Sequence, residues 1–226
     1  MPKRPSAIVL ASNDSTILCG DKFGDVYSLP LIPSENPTIL ASRTVTQARS
    51  QPAATSLTVH SKKNLQALEQ QKRQWNEGHR PEDKSGPPFE HQILLGHVSL
   101  LTDLIYVSLP STSGVKRTYI LTGDRDEHIR VSRGPPQAHV IENYCLGHTS
   151  FISKLCVPEW APDYLISGGG DSHLLIWNWQ EGRVLQNAPL VDQITEATEV
   201  AVRGIWAVSL TASNEPANVI LVALEG

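Results

Sequence analysis

Three short stretches of the chain share one alternation of apolar and polar positions: LCGDKFGDVYSL from Leu18, LTGDRDEHIRVS from Leu121 and ISGGGDSHLLIWN from Ile166. Each opens apolar, passes through a cluster of Gly and Asp, and returns to alternation, carried by Ile129 and Val131 in the second and by Leu174 and Ile176 in the third. Side chains on a strand point to opposite faces in turn, so a period of two around turn-forming residues predicts strand, tight turn, strand. The third stretch reads as one residue longer in its glycine turn. Two more alternating runs, over residues 202–208 and 218–223, predict a further strand pair in the tail. Between residues 41 and 91 the alternation stops. SRTVTQARSQPAATS is polar, NLQALEQQKRQWNEG is rich in helix formers, and HRPEDKSGPPFE is rich in breakers. The middle piece predicts a helix over 63–76 whose only apolar stripe is Leu65, Leu68 and Trp75, marginal in isolation.

The second and third hairpins are preceded by Gly96-His97 and Gly147-His148, 51 residues apart. Repeats of roughly 40 to 45 residues that open on Gly-His and close on Trp-Asp mark the blades of a propeller. The excess length fits a polar loop over 111–116, which a surface connection absorbs at small entropic cost. The expected architecture is all-β, a WD-repeat β-propeller that is incomplete, with about three to four blades of an expected seven. It divides into a partial first blade over 1–40, a polar insertion between blades over 41–91, WD blades over 92–140 and 141–190, and a truncated blade over 191–226. A ring of about seven blades needs about twice this length, so a piece of a longer protein is expected, with completion of the ring by another chain as the alternative.

In the third repeat His148, Ser167, Asp171 and Trp177 occupy the positions from which a blade builds a hydrogen-bonded chain across its strands. A turn carboxylate accepts backbone and imidazole N–H groups, and a buried indole N–H needs an acceptor. The second repeat offers His97, Thr122 and Asp126, with Ser132 where tryptophan is expected, so its network is predicted to be truncated. Ser167, His148 and Asp171 are also the residue types of a hydrolase triad. Leu165 stands two residues before the serine, however, so the Gly-x-Ser-x-Gly elbow that exposes a nucleophile is absent. Gly168, Gly169 and Gly170 are followed by a strand pattern and no Gly-Lys-Ser/Thr, which makes them a turn and not a phosphate cradle. The histidines and cysteines lack ligand spacing, and neither metal nor cofactor is expected.

Composition narrows the partners more than the fold. A net charge of −4 over 226 residues gives no global basic field. Lys62, Lys63, Lys72, Arg73 and Arg80 form a loose basic strip in the insertion, a candidate tRNA contact set against the plainer reading of a solvated helix. Cys19, Cys145 and Cys156 are few and widely spaced, as expected of buried thiols in a reducing compartment. No apolar run approaches the roughly 18 residues that span a bilayer, and no membrane role is expected.

The densest local charge is Asp124-Arg125-Asp126-Glu127-His128-Ile129-Arg130, a short turn with both signs. Its plain reading is a solvated turn; its sharper one is a rigid recognition surface that selects a partner by complementarity. Together with DKFGDVYSL from Asp21, TVHSKKNLQALEQQ from Thr58, LLGHVSLLTDL from Leu94, CLGHTSFIS from Cys145 and ISGGGDSHLLIWNWQEG from Ile166, the block ILTGDRDEHIRVSR from Ile120 resembles one family. That family is the WD-repeat, non-catalytic subunit of the eukaryotic tRNA (guanine-N7)-methyltransferase, in its fungal form. The resemblance implies a scaffold that binds the catalytic subunit in a heterodimer, with S-adenosylmethionine held by that subunit and tRNA met mainly through it. It implies a nuclear location, with the cytoplasm as a second compartment. Partner contacts would fall on Asp124, Arg125, Glu127, His128 and above all Arg130, with Lys22 a weaker candidate. The competing reading is a generic WD-repeat adaptor, such as a ubiquitin-ligase substrate receptor or a chromatin-associated scaffold, since propeller faces serve many partners.

Overall fold

The computed structural model describes residues 4–11, 14–33, 61–76, 89–110, 116–190, 200–212 and 215–226. The chain divides into two units, Lys3–Ser34 with His91–Gly226, and Glu35–Glu90. The second contains one described element, helix α1 (Lys62–Asn76), within a residue of the expected span. On it Lys62, Lys63, Lys72 and Arg73 are exposed and Leu68 is buried; Arg80 lies outside the described residues.

Among the described residues the first unit contains three four-stranded antiparallel sheets and one strand pair. Sheet one is β1 (Pro5–Leu10), β2 (Thr16–Asp21), β3 (Asp25–Pro30) and β4 (Gln92–Gly96), in that spatial order. Sheet two follows as β5 (Leu101–Leu109), β6 (Arg117–Asp124), β7 (His128–Arg133) and β8 (Ile141–Leu146). Sheet three is β9 (Ile152–Cys156), β10 (Tyr164–Gly169), β11 (His173–Asn178) and β12 (Arg183–Pro189). The pair is β13 (Ala201–Ala212) with β14 (Glu215–Glu225). Neighbouring first strands touch, β1 with β5, β5 with β9 and β9 with β13, so the sheets fan out from a common inner line as propeller blades do.

This arrangement corrects two boundaries read from the sequence. The strand before each Gly-His belongs to the preceding sheet: β4 closes sheet one and β8 closes sheet two. Segments 92–140 and 141–190 are therefore repeats of sequence, displaced by one strand from the sheets, and the first sheet is complete. Residues 41–91 accordingly interrupt sheet one between β3 and β4 and do not lie between blades. The displacement has a physical benefit, because each Gly-His loop ties the outer strand of one sheet to the inner strand of the next.

Burial explains the alternation. Ile129 and Val131 on β7 pack with Leu165, Leu175 and Trp177 between sheets two and three. Leu18, Val26, Leu101, Leu104 and Ile120 fill the gap between sheets one and two. Leu174 turns the other way from Leu175 and meets Ile166, Val202 and Ile205 against the β13–β14 pair. Interior strands are thus apolar on both faces, which blurs the simple alternation expected of Leu174 and Ile176.

Candidate partner-binding face and its supporting network

The three hairpins have equal length. Cys19 pairs with Tyr27, Thr122 with Arg130 and Ser167 with Leu175, the same separation in each, so the third turn carries no extra residue. Asp21, Asp124 and Gly169 are therefore equivalent, as are Gly24, Glu127 and Ser172. In the first hairpin Asp21 Oδ1 accepts the N–H groups of Phe23 at 2.8 Å and Asp25 at 3.1 Å. In the second, Asp124 Oδ1 accepts those of Asp126 at 3.0 Å and His128 at 3.1 Å. The third hairpin has glycine there because its backbone lies against the carbonyl of Phe151, where a Cβ would collide. Its carboxylate, Asp171, sits two residues later.

The third sheet assembles all four expected residues. His148 Nδ1 lies 2.6 Å from Asp171 Oδ2, His148 Nε2 lies 2.6 Å from Ser167 Oγ, and the Trp177 indole N–H donates to Ser167 Oγ at 2.7 Å. A carboxylate only accepts, so Nδ1 carries hydrogen; with Nε2 unprotonated, the Ser167 oxygen accepts from the indole while its hydroxyl donates to Nε2. Every group is satisfied by a neutral His148. Burial lowers the pKa of His148 against the opposing pull of Asp171, in line with that tautomer. Burial alone would raise Asp171, but the Thr149 hydroxyl at 2.6 Å, His148, and the Thr149 N–H at 3.2 Å hold its pKa below the ordinary value. Thr149 is a member the sequence reading missed, although it directly follows Gly-His. The triad-like geometry serves no nucleophile, since Ser167 is fully buried beneath Trp177.

The second sheet uses a different solution from the expected one. His97 Nε2 lies 2.8 Å from Thr122 Oγ1, but its Nδ1 faces Asp124 at 3.7 Å, and Asp126 is exposed. Asp124, not Asp126, is the carboxylate of this blade; burial raises its pKa, and His97 with the N–H groups of His128 and Asp126 more than offsets that. As expected from the missing tryptophan, the side-chain network that starts at His97 stops at Thr122: Trp177 donates to Ser167 in the third sheet, whereas Ser132 is engaged by Arg130. Arg130 folds inward, its Nε donating to Ser132 Oγ at 3.0 Å and its Nη1 to the carbonyl of Gly96 at 3.0 Å. In the third sheet the tip of the Trp177 ring lies against Gly147, the residue equivalent to Gly96. Arg130 and Ser132 together therefore occupy the space that Leu175 and Trp177 fill one blade later. The guanidinium is almost wholly buried, and desolvation lowers its pKa.

Of the residues singled out for partner contact, the structure turns Asp124 and Arg130 inward and leaves Lys22, Arg125, Glu127 and His128 exposed. Glu127 holds φ 71° at the position where the first hairpin has Gly24 at φ 97°. A left-handed glutamate costs roughly 1 kcal/mol, and such residues cluster at functional sites. Sheets are further joined by Asp103 Oδ2, which accepts the Leu155 N–H at 2.9 Å, and by Ser153, whose hydroxyl lies 2.5 Å from the carbonyl of Val202 and 3.2 Å from that of Gly168. The polar Asp103 within an apolar strand was a signal for the first of these contacts. Burial pushes the Cys145 thiol up to about 12, which suits a packing role.

The model of the tRNA methyltransferase TRM82 WD40 domain matches residues 1–226. The chain belongs to the Trm82 WD-repeat family. It is 62% identical over 232 residues to the tRNA (guanine-N(7)-)-methyltransferase non-catalytic subunit trm82 of Aspergillus fumigatus, covering 100% of this chain and 46% of that protein. The Trm82 of Coccidioides immitis, which bears the same description, is 50% identical over 244 residues, with 100% and 46% covered. The chain thus spans about half the length of the Trm82 relatives it matches. Among solved structures, the WD40 propeller domain of Doa1 aligns with a TM-score of 0.45 at 14% identity, over 88% of this chain and 43% of that one.

Proposed function

We propose that this chain forms the partner-binding part of a non-catalytic subunit that holds the catalytic subunit of a tRNA (guanine-N7)-methyltransferase in a heterodimer. The observation that carries the reading is identity of 62% along the whole chain with a relative of that description. The geometry adds a rigid, mixed-charge turn, with Arg125, Glu127 and His128 exposed over a buried Asp124 and Lys22 at the matching turn of the preceding sheet. Asp124 acts from below by fixing that turn, and Arg130 by tying β7 to the carbonyl of Gly96. A scaffold that binds only the competent conformation of its partner raises the population of that conformation, by as much as the differential affinity permits.

In this reading S-adenosylmethionine is bound by the catalytic subunit, and tRNA is met mainly through it. The exposed Lys62, Lys63, Lys72 and Arg73 of α1 are a secondary phosphate contact. The complex works in the nucleus, with the cytoplasm as a second compartment. The test is co-expression of the full-length protein with the catalytic subunit, followed by affinity capture and methyl transfer to tRNA. Co-purification with activity above that of the catalytic subunit alone is expected. Failure to co-purify, or capture of a ubiquitin-ligase adaptor instead, would overturn the reading.

A further inference from the structure

The rim that carries the charged turn also carries exposed apolar side chains that charge complementarity leaves unexplained. Val98, at the apex of the loop from β4 to β5, is completely exposed, at 107% relative to a free residue. Phe23, next to Gly24 in the β2–β3 turn that meets this loop, is 54% exposed, with the Lys22 ammonium 5.4 Å from its ring centre. Singly exposed apolar residues are ordinary, but these two stand on adjoining loops that are fixed to each other. The His97 N–H donates to the Gly24 carbonyl at 2.8 Å, and the Arg125 N–H donates to that of Leu100 at 2.9 Å. His97 is anchored from within by Thr122. Gly24 sits so close under the loop that a Cβ there would lie 2.5 Å from the His97 carbonyl oxygen and 2.7 Å from that of Ser99. The apex is therefore preorganised, with Lys22 and Phe23 on one side and Arg125, Asp126 and Glu127 on the other.

We propose that Val98 and Phe23 form the apolar centre of the contact with the catalytic subunit, and that the charged residues on either side form its rim. The proposal rests on the function argued above and names the residues that carry its affinity. Charge selects the class of occupant. Lys22 and Arg125 are balanced by Asp126 and Glu127, so a phosphate backbone meets as much repulsion as attraction here, whereas a protein surface of mixed charge with an apolar knob or pocket fits both features. Interfaces place apolar anchors at the centre, where water is excluded, and charges around them, where they govern encounter and orientation.

The experiment measures association of the full-length protein with the purified catalytic subunit by surface plasmon resonance, for the parent, Val98→Asp, Phe23→Ala and Arg125→Glu, at about 50 and 300 mM salt. Val98→Asp is expected to weaken binding at least tenfold, mainly through faster dissociation and nearly independently of salt. Phe23→Ala should lose about fivefold to tenfold in the same manner. Arg125→Glu should act mainly on the association rate and fade at high salt. Val98 is fully exposed, so an unchanged melting temperature accompanies the effect of Val98→Asp and separates it from misfolding. Parent protein that fails to bind the catalytic subunit overturns the functional reading itself. Parent protein that binds while Val98→Asp and Phe23→Ala bind equally well overturns this inference alone. Loss of tRNA binding by the Val98 variant with the protein contact intact also overturns it, assigning the rim to RNA.

Discussion

If Arg130 and Ser132 stand in for a leucine and a tryptophan, exchanging both should be tolerated where exchanging either is not. Arg130→Leu removes a guanidinium that satisfies the Gly96 carbonyl and the Ser132 hydroxyl. Each acceptor left unpaired costs about 1 to 3 kcal/mol, part of which is returned because a buried cation no longer has to be desolvated. The expected net loss is about 2 kcal/mol. Ser132→Trp alone forces an indole into the space of the Arg130 side chain, and overpacking of this kind costs about 1 to 3 kcal/mol. In the double variant the pair reproduces Leu175 and Trp177, and the indole N–H reaches Thr122 Oγ1 as that of Trp177 reaches Ser167. The double variant should then lose no more than about 1 kcal/mol relative to the parent, which corresponds to a favourable coupling of about 2 to 5 kcal/mol between the two sites, at or above the upper end of what contacting residues show. Urea unfolding of the four proteins at pH 7, followed by circular dichroism, supplies the cycle. Additive losses would refute the substitution argument and leave Arg130 as an ordinary buried cation.

Other outcomes follow from the same contacts. Asp171→Ala leaves the buried His148 N–H without an acceptor while exposed Thr149 is rehydrated, so urea unfolding should show a loss of about 2 to 3 kcal/mol, and an unchanged midpoint would contradict the network. Glu127→Gly relieves a left-handed side chain; thermal unfolding should show stability equal or up to about 1 kcal/mol higher, while affinity for the catalytic subunit drops. The pKa of His148 is lowered on folding, so the unfolded chain binds the proton first, and stability should decline as pH falls below the unfolded histidine value near 6.5. Asp171 and Asp124 are also lowered, so their contribution is present above the unfolded carboxylate value of 3.8 and is lost as pH falls through the folded values. Unfolding followed from pH 8 to pH 3 should show both declines, and Asp171→Ala should remove part of the lower one.

The sequence was most informative where one physical demand governs a residue. Period-two alternation around Gly and Asp located the hairpins, because only a strand repeats every second residue. His148, Ser167, Asp171 and Trp177 were legible because hydrogen-bond chemistry leaves few alternatives for those four types. Misreadings came where two demands compete. Asp124 and Asp126 both suit a turn, and which one faces His97 depends on backbone register, which residue type does not encode. Arg130 reads as an outward charge by type, yet the vacancy left by Ser132 draws it in, a dependence on volume that appears only when strands are paired. The unit of sequence repetition also hid the sheet boundary, since Gly-His marks a loop and not the edge of a blade.

The separation of β4 from β3 bears on how the protein is made. Over sixty residues intervene between Pro30 and Gln92, against three in the β2–β3 turn. Closing the longer connection costs roughly 2 to 3 kcal/mol more in chain entropy. During translation the first sheet must wait, three-stranded and with β3 as an open edge, until the ribosome has delivered both its last strand and the beginning of the second sheet. Until β4 pairs, the edge of β3 offers its backbone groups to any passing strand, the hazard that open edges carry in nascent sheets.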